Sequence, residues 1–156
     1  MKFMCPLLAV KDIDKAKAFY TEVLKQKIQV DIGPNVTFGN NDFALQTGYD
    51  TLLIDQEGFK STYGGNDHEL YFEVDDYDAV EAHLNTFDDI KYVHKTKVYP
   101  WGQRVVRLYD IDQHIIEIGE NMIVVIHRFQ DEGLSIGEIS ERTMYPEEVI
   151  KEMLSQ

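Results

Sequence analysis

The stretch VKDIDKAKA, residues 10–18, recurs 64 positions later as VDDYDAVEA, residues 74–82. The positions that are identical under this offset are Val10 and Val74, Asp12 and Asp76, Asp14 and Asp78, and Ala18 and Ala82. Each copy follows an apolar alternating run that is typical of a strand, residues 3–10 and 69–74. We therefore interpret the chain as an internal duplication, since self-similarity at a fixed offset indicates repeated structural units.

The residues of each copy predict a helix with one apolar face. The apolar positions are Ala16, Phe19, Tyr20, Val23 and Leu24 in the first copy, and Tyr77, Val80, Leu84 and Phe87 in the second. Aspartates at the start of each segment are good N-cap residues, namely Asp12 or Asp14 and Asp76 or Asp78.

Three short strands are predicted after each helix, bounded by turn residues such as Gly-Pro and Asn-Asp. Their ranges are 27–32, 36–38 and 43–46 in the first copy, and 91–98, 104–109 and 115–118 in the second. The chain is therefore predicted to be an α+β protein with two βαβββ modules, residues 3–54 and 67–120, joined by a linker over 58–67. These modules form a predicted domain over residues 1–121, and residues 122–156 form a C-terminal tail.

Composition excludes several classes of function. The chain of 156 residues has 15 Lys plus Arg against 28 Asp plus Glu, a net charge of −13. This balance argues against binding to nucleic acid or to an anionic membrane, because both need clustered cations. No apolar run approaches the ~20 residues that span a bilayer, and the first residues predict a strand rather than a signal peptide. The lone Cys5 forms no internal disulfide, which favours a cytoplasmic location.

Two stretches resemble the vicinal oxygen chelate superfamily, which includes glyoxalase I, bleomycin-resistance proteins, fosfomycin-resistance enzymes and extradiol dioxygenases. They are LLAVKDIDKAKAFYTEVL, residues 7–24, and WGQRVVRLYDIDQHIIEIGE, residues 101–120. The family's D-P-D-G turn is replaced by Asp110-Ile111-Asp112-Gln113, which keeps both aspartates. The resemblance implies that the strands of both modules form an open, cup-shaped mixed sheet around a cavity, and that the protein is a homodimer.

In metal-dependent members of this superfamily, the first and last strands of each module supply the metal ligands. The repeat places these positions at Cys5, Gln46, Glu69 and Glu117. None of them is a histidine, and a thiol mixed with oxygen donors suits neither hard nor soft cations well. We therefore favour the absence of a metal, with Zn, Ni, Mn or Fe held by Gln46, Glu69 and Glu117 as the alternative.

The nearby histidines do not fit these ligand positions. Strand alternation turns His68 and His114 away from the face of Glu69 and Glu117, although a register slip of one residue would turn His68 into the cavity. His83 falls in the second helix and His94 in a middle strand.

Other residues are candidates for the wall of the cavity. Arg107 offers a cation for the two glutamates and shares a strand face with Tyr109. Tyr71 shares the face of Glu69, and Trp101 lies in a Pro-Trp-Gly turn. Aromatic walls suit a flat ligand, but core packing or a dimer contact explains Tyr71 and Trp101 nearly as well. Cys5 has no neighbouring base, so we expect an unreactive thiol.

The tail is predicted to be helical, with helix starts at Ser135 and Pro146. Its pattern superficially resembles a helix-turn-helix, but from His127 onward it holds three Lys or Arg residues against seven acidic residues. Phosphate would repel such a helix. Its apolar residues instead predict that it docks on the body, on a partner subunit or on the cup: Ile136, Ile139, Val149, Ile150 and Leu154.

Three functions remain open from the sequence. We favour binding of a small organic molecule by a cup lined by Glu69, Glu117, Arg107, Gln46 and Tyr71. The alternative is a metal-dependent, glyoxalase-like lyase or isomerase of a small carbonyl compound or thiol conjugate, with Glu69 or Glu117 as the catalytic acid or base. The third is a regulatory or interaction module that acts through the tail.

Overall fold

A computed structural model describes all 156 residues and divides the chain into two compact units. The first unit contains residues 1–68 and 109–114, and the second contains residues 69–108 and 115–156. Each unit holds a four-stranded sheet. No helix of the chain has the length and apolar character needed to cross a membrane.

The first sheet is mixed and follows the predicted strand–helix–strand order. Its elements are β1 (Leu7–Ala9), α1 (Ile13–Ala18), which continues into a π-helical turn (Phe19–Val23), β2 (Ile28–Asp31), β3 (Asn35–Phe38) and β4 (Phe43–Gln46). The strand order is β1-β4-β3-β2, with β1 parallel to β4 and the other pairs antiparallel. A second π-helical segment, Tyr49–Ile54, follows this sheet and was not predicted.

The second sheet repeats this order with the next four strands. Its elements are β5 (Glu69–Val74), α2 (Tyr77–Leu84), β6 (Lys91–Val98), β7 (Arg104–Tyr109) and β8 (Ile115–Glu120). The strand order is β5-β8-β7-β6, and β5 is parallel to β8. Because both sheets have the same order, the predicted α+β fold with two βαβββ modules is confirmed.

The predicted helix starts and apolar faces are also found. Asp12 accepts hydrogen bonds from the backbone N–H groups of Asp14 and Lys15 at 3.1 Å, and Asp76 accepts one from Ala79 at 3.0 Å. These caps satisfy backbone donors that a helix leaves free at its first turn. The helix residues that are buried as predicted are Ala16, Tyr20, Val23, Leu24, Tyr77 and Leu84.

The first strand begins later than predicted, at Leu7 instead of Phe3. Pro6 has no N–H group, so the ladder of backbone hydrogen bonds cannot continue through it in the usual way. Only its carbonyl takes part, accepting from the Ala44 N–H at 2.9 Å. Phe3 and Met4 are 81% and 57% exposed, and Cys5 lies before the strand, which corrects its predicted position on β1.

The tail consists of three helices in the second unit, α3 (Met122–Asp131), α4 (Ile136–Thr143) and α5 (Glu147–Met153). Ser135 is the N-cap of α4, as predicted, and it forms a capping box with Glu138. Pro146 is the N-cap of α5 rather than its first residue. The buried cluster of this region is Met122, Val125, Ile126, Phe129, Ile139 and Ile150.

Candidate functional site

Arg107, on β7, joins two glutamates of the second sheet. Its Nε donates to Glu69 Oε2 at 2.9 Å, and its Nη2 donates to Glu69 Oε1 at 3.5 Å. Nη2 also forms an ion pair with Glu117 Oε2, in close contact rather than with regular hydrogen-bond geometry. One guanidinium thus neutralises part of the charge of both carboxylates, as predicted for Arg107.

The other end of the guanidinium contacts His94 and Tyr99. Nη1 donates to the Tyr99 hydroxyl and lies 3.3 Å from His94 Nε2. His94 Nδ1 is 2.8 Å from the carbonyl oxygen of Lys95, which only accepts, so Nδ1 carries a proton. In the neutral ring, Nε2 is therefore the acceptor for Arg107. We call Glu69, His94, Tyr99, Arg107 and Glu117 the Arg107 cluster.

The strand order explains why these residues meet. Glu69 lies on β5 and Glu117 on β8, which are neighbours, and β8 separates β5 from β7. In the parallel β5–β8 pair, Glu117 lies directly opposite Tyr71. Tyr71 is two residues after Glu69 on β5, so the side chains of Glu69 and Tyr71 are on the same face of the sheet. Both glutamates therefore come within reach of one long side chain from β7.

Burial differs between the two glutamates. Glu117 is only 8% exposed, whereas the Glu69 side chain is 36% exposed. Burial lowers the pKa of Arg107, but hydrogen bonds and charge from Glu69 raise it more, so its pKa lies above its usual value. Arg107 therefore stays charged, and the nearly buried carboxylate of Glu117 depends on it most.

Tyr71 and Trp101 are linked through Gln103. The Tyr71 hydroxyl accepts from Gln103 Nε2 at 2.9 Å and donates to Glu73 at 2.7 Å, while Trp101 Nε1 donates to Gln103 Oε1 at 2.9 Å. Desolvation, with the hydrogen bond to Glu73, raises the pKa of Tyr71 to about 12, so the hydroxyl stays protonated. A Cβ atom at Gly119 would lie 3.0 Å from the Tyr71 ring and 2.7 Å from Gln103 Nε2, so glycine allows this arrangement.

The first unit holds the remaining predicted site residues. Gln46 is buried, and its amide is engaged: Oε1 accepts from Asn35 at 3.1 Å and Nε2 donates to the Thr47 carbonyl at 2.7 Å. The Tyr109 hydroxyl donates to Asn66 at 3.1 Å. Cys5 is half-buried and forms no disulfide.

The donors at the superfamily's ligand positions do not fit a divalent cation. Glu69 and Glu117 both contact the Arg107 guanidinium, and a cation between them would have to displace it. The Gln46 amide is already bonded at both ends, through Oε1 to Asn35 and through Nε2 to the Thr47 carbonyl. No group of three or more His, Cys, Asp or Glu side chains in the chain is arranged to hold a metal ion. We therefore derive no chemistry through a metal.

Sequence reasoning missed three residues of this region. The prediction excludes His94 because it falls in a middle strand, yet its Nε2 accepts from Arg107 Nη1. Tyr99 and Gln103 flank the Pro-Trp-Gly turn, which brings Tyr99 to Arg107 and Gln103 to Tyr71. The turn was the available signal, but its direction depends on the strands that it joins.

Comparison with known proteins identifies the class. A model of the glyoxalase-like domain matches residues 3–123, so the chain belongs to the glyoxalase-like family and the superfamily resemblance is confirmed. The match ends at residue 123, so nearly all of the tail lies beyond it. No curated protein matches this chain significantly.

Solved structures share the fold of this chain. A protein of unknown function from Agrobacterium tumefaciens is 35% identical with a TM-score of 0.66, covering 78% of this chain and 94% of that one. A lactoylglutathione lyase from the same organism is 21% identical with a TM-score of 0.59, covering 78% and 95%. A glyoxalase/bleomycin resistance protein/dioxygenase from Nocardioides is 16% identical with a TM-score of 0.60, covering 77% and 83%. The last two share the fold.

Proposed function

We propose that this protein binds a small organic molecule at the Arg107 cluster without using a metal ion. The observation that carries this proposal is the contact of Arg107 with both Glu69 and Glu117, the two acidic positions at which metal-dependent members of the superfamily hold their cation. Here a guanidinium supplies the positive charge that the carboxylates need. A binding role therefore fits the site better than metal-dependent chemistry.

The same contacts disfavour an acid–base role for the glutamates. A general base must reach the proton that it removes, and both carboxylates are held by Arg107. What the site offers a ligand is the exposed part of Glu69 and the side chain of Tyr71, a residue that is 48% exposed. An aromatic surface beside a carboxylate suits a flat molecule with a hydrogen-bond donor.

Metal content tests the first half of the proposal. We expect protein purified without a histidine tag, after extensive dialysis, to contain far less than one metal ion per chain and to take up no Zn, Ni, Mn or Fe. Near-stoichiometric metal that is lost in Glu117→Ala would overturn the proposal. The metal-dependent lyase or isomerase would then become the better interpretation.

Fluorescence tests the second half. Trp101 is the single tryptophan, and its ring stacks on Tyr99 with centroids 4.6 Å apart, so its emission reports on this site. We expect a panel of small aromatic amines, alcohols and carboxylic acids to contain a compound that changes this emission and raises the melting temperature. Tyr71→Ala should lower the affinity for that compound about tenfold or more, whereas Tyr92→Ala on β6 should leave the affinity unchanged. A panel with no effect on either measurement would contradict binding.

We also propose a cytoplasmic homodimer. The free Cys5 is compatible with a reducing compartment. Strand β2 is at the edge of the first sheet, and its exposed Ile28 and Val30, with the following Ile32, supply apolar surface for a partner. Light scattering after size-exclusion chromatography should give twice the chain mass of 18.1 kDa. A monomer at micromolar concentration would contradict the dimer.

A further inference from the structure

The tail packs directly on the turn between β6 and β7. Trp101 lies against the buried cluster of the tail helices. Gly102 has a φ of +88°, and a Cβ atom there would lie only 2.1 Å from Cζ of Phe129 on α3. The Phe129 ring therefore rests on the backbone of the turn, a contact that only glycine permits at this position.

Arg128, on α3, forms a hydrogen bond with the same turn. Its Nη2 donates to the Gly102 carbonyl at 2.8 Å, and its Nη1 donates to Glu120 Oε1 at 2.7 Å. Glu120 is fully buried at the end of β8 and also accepts from Arg104 at 2.9 Å. The turn is thus held by an apolar contact and by a charge-assisted hydrogen bond, both from the tail.

Two chains of contacts lead from this turn to the candidate site. In the first, the Trp101 ring stacks on Tyr99 at an interplanar angle of 25°, and the Tyr99 hydroxyl accepts from Arg107. In the second, Trp101 donates to Gln103, which donates to the Tyr71 hydroxyl. The tail's Tyr145 is also an electrostatic neighbour of Tyr71.

We propose that the tail is a positioning element of the binding site, which holds the turn at residues 99–103 so that Arg107 and Tyr71 keep their orientation. Trp101 is the positioning residue, since its contacts with Tyr99 and Gln103 connect the turn to Arg107 and Tyr71. Arg128 and Phe129 hold the turn in place. This role of the tail adds to the proposed function and rests on it, because it concerns the same binding site. It assigns a role to a segment that lies almost wholly outside the match to the family model.

The test compares Arg128→Met with Lys151→Met, a tail variant whose side chain contacts only the exposed Glu147 and Glu148. The readout is hydrogen exchange at the Arg107 Nε–H group, followed by ¹⁵N NMR and assigned through its loss in Arg107→Lys. We expect Arg128→Met to speed this exchange about tenfold or more, because local opening of the turn frees Tyr99 and then Arg107. Lys151→Met should leave it unchanged.

A purely structural tail would give a different result. Arg128→Met would then lower the free energy of unfolding while the native-state exchange of the Arg107 Nε–H stayed at its wild-type rate, and this outcome would overturn the proposal. These measurements use no ligand, so their failure is separate from a failure to find a bound molecule.

A second variant keeps the proposal testable if Arg128→Met does not fold. Trp101→Phe retains an aromatic ring against Tyr99 but removes the N–H group that binds Gln103. We expect the ring resonances of Tyr71 to shift or broaden while Arg107 exchange stays within about twofold of wild type, because the stacking path is preserved. Unchanged Tyr71 resonances would contradict the assigned role of Trp101.

Discussion

The guanidinium of Arg107 has five N–H groups, and five acceptor contacts surround it. Two are on Glu69, and one each is on Glu117, His94 and Tyr99. A ligand therefore gains no free donor from Arg107 unless an existing contact breaks. The contact of Nη2 with Oε1 of the partly exposed Glu69 is the longest of the set, at 3.5 Å, so it is the contact that a ligand displaces most easily.

We predict that the ion pairs of Arg107 with Glu69 and with Glu117 contribute unequally to stability. Arg107→Met should lower the free energy of unfolding by about 3 kcal/mol, because it leaves the buried carboxylate of Glu117 unpaired. Glu69→Gln should cost less than about 1 kcal/mol, since a partly exposed ion pair is screened by water. Urea denaturation measures both values.

The double variant Arg107→Met with Glu117→Gln provides the control. It removes the guanidinium together with the charge that needs it, so it should recover more than half of the loss caused by Arg107→Met alone. Equal losses in the single and double variants would show that packing around Arg107, rather than charge, sets the effect.

Among the elements, the turn that connects β7 to β8 is held by one carboxylate. Asp110 is buried, and its Oδ1 accepts from the backbone N–H groups of Asp112 at 2.9 Å and His114 at 2.8 Å. Its Oδ2 accepts from Tyr20 at 3.0 Å and lies 2.7 Å from His114 Nδ1. These bonds explain why the turn forms although the family's proline and glycine are replaced by Ile111 and Gln113.

The replacement of glycine has a measurable cost in backbone strain. Gln113 has a φ of +72°, a conformation that side chains with a Cβ disfavour by ~1 kcal/mol or more. We predict that Gln113→Gly raises the free energy of unfolding by about 0.5–1 kcal/mol, since glycine adopts a positive φ without the steric cost of a Cβ atom. Thermal denaturation measures the change.

Matched substitutions at the same position check this cause. Gln113→Asn should be nearly as stable as Gln113→Gly, because asparagine tolerates this backbone region, and Gln113→Val should be less stable than wild type. If Gln113→Val were more stable than the wild type, backbone strain at this turn would not govern stability.

For the whole molecule, the excess of acidic residues makes the few internal cation pairs important. Glu120 joins Arg104 from β7 and Arg128 from the tail, and Arg104 also pairs with Asp78 on α2. Burial alone would raise the pKa of Glu120, but the hydrogen bonds from both arginines lower it below its ordinary value of 4.5. A carboxyl group whose pKa is lowered on folding stabilises the protein above its unfolded pKa, and this contribution is lost as the pH falls through its folded pKa.

We therefore predict a pH-dependent effect of Glu120→Gln. It should lower the free energy of unfolding by about 3 kcal/mol at pH 7, because it leaves Arg104 and Arg128 without their shared buried partner. The difference from wild type should shrink as the pH falls below 4.5, where protonation of Glu120 removes the same charge. Urea denaturation at a series of pH values measures this, with Glu141→Gln, at an exposed position of α4, as the control. A difference that is constant with pH would contradict the assignment.

Local patterns in the sequence determined the elements of this protein. Strand alternation, apolar helix faces and aspartate caps depend on neighbours within a few residues, so the strands and helices of both modules and the helices of the tail were predictable. The repeat and the closing turn sequence then indicated the family. The first strand was predicted too long because the alternation before Pro6 outweighed its missing N–H group.

Only the tertiary structure decided how the site is built. The family resemblance and the repeat pointed to the two glutamates, and strand alternation placed Arg107 beside them. His94 and Tyr99 reach Arg107 because a turn folds the chain back from β6 to β7. The contacts of Arg128 and Phe129 with that turn were not predictable from a local sequence pattern either. Sequence periodicity specifies which face a side chain occupies, whereas contacts between distant segments depend on how whole elements pack.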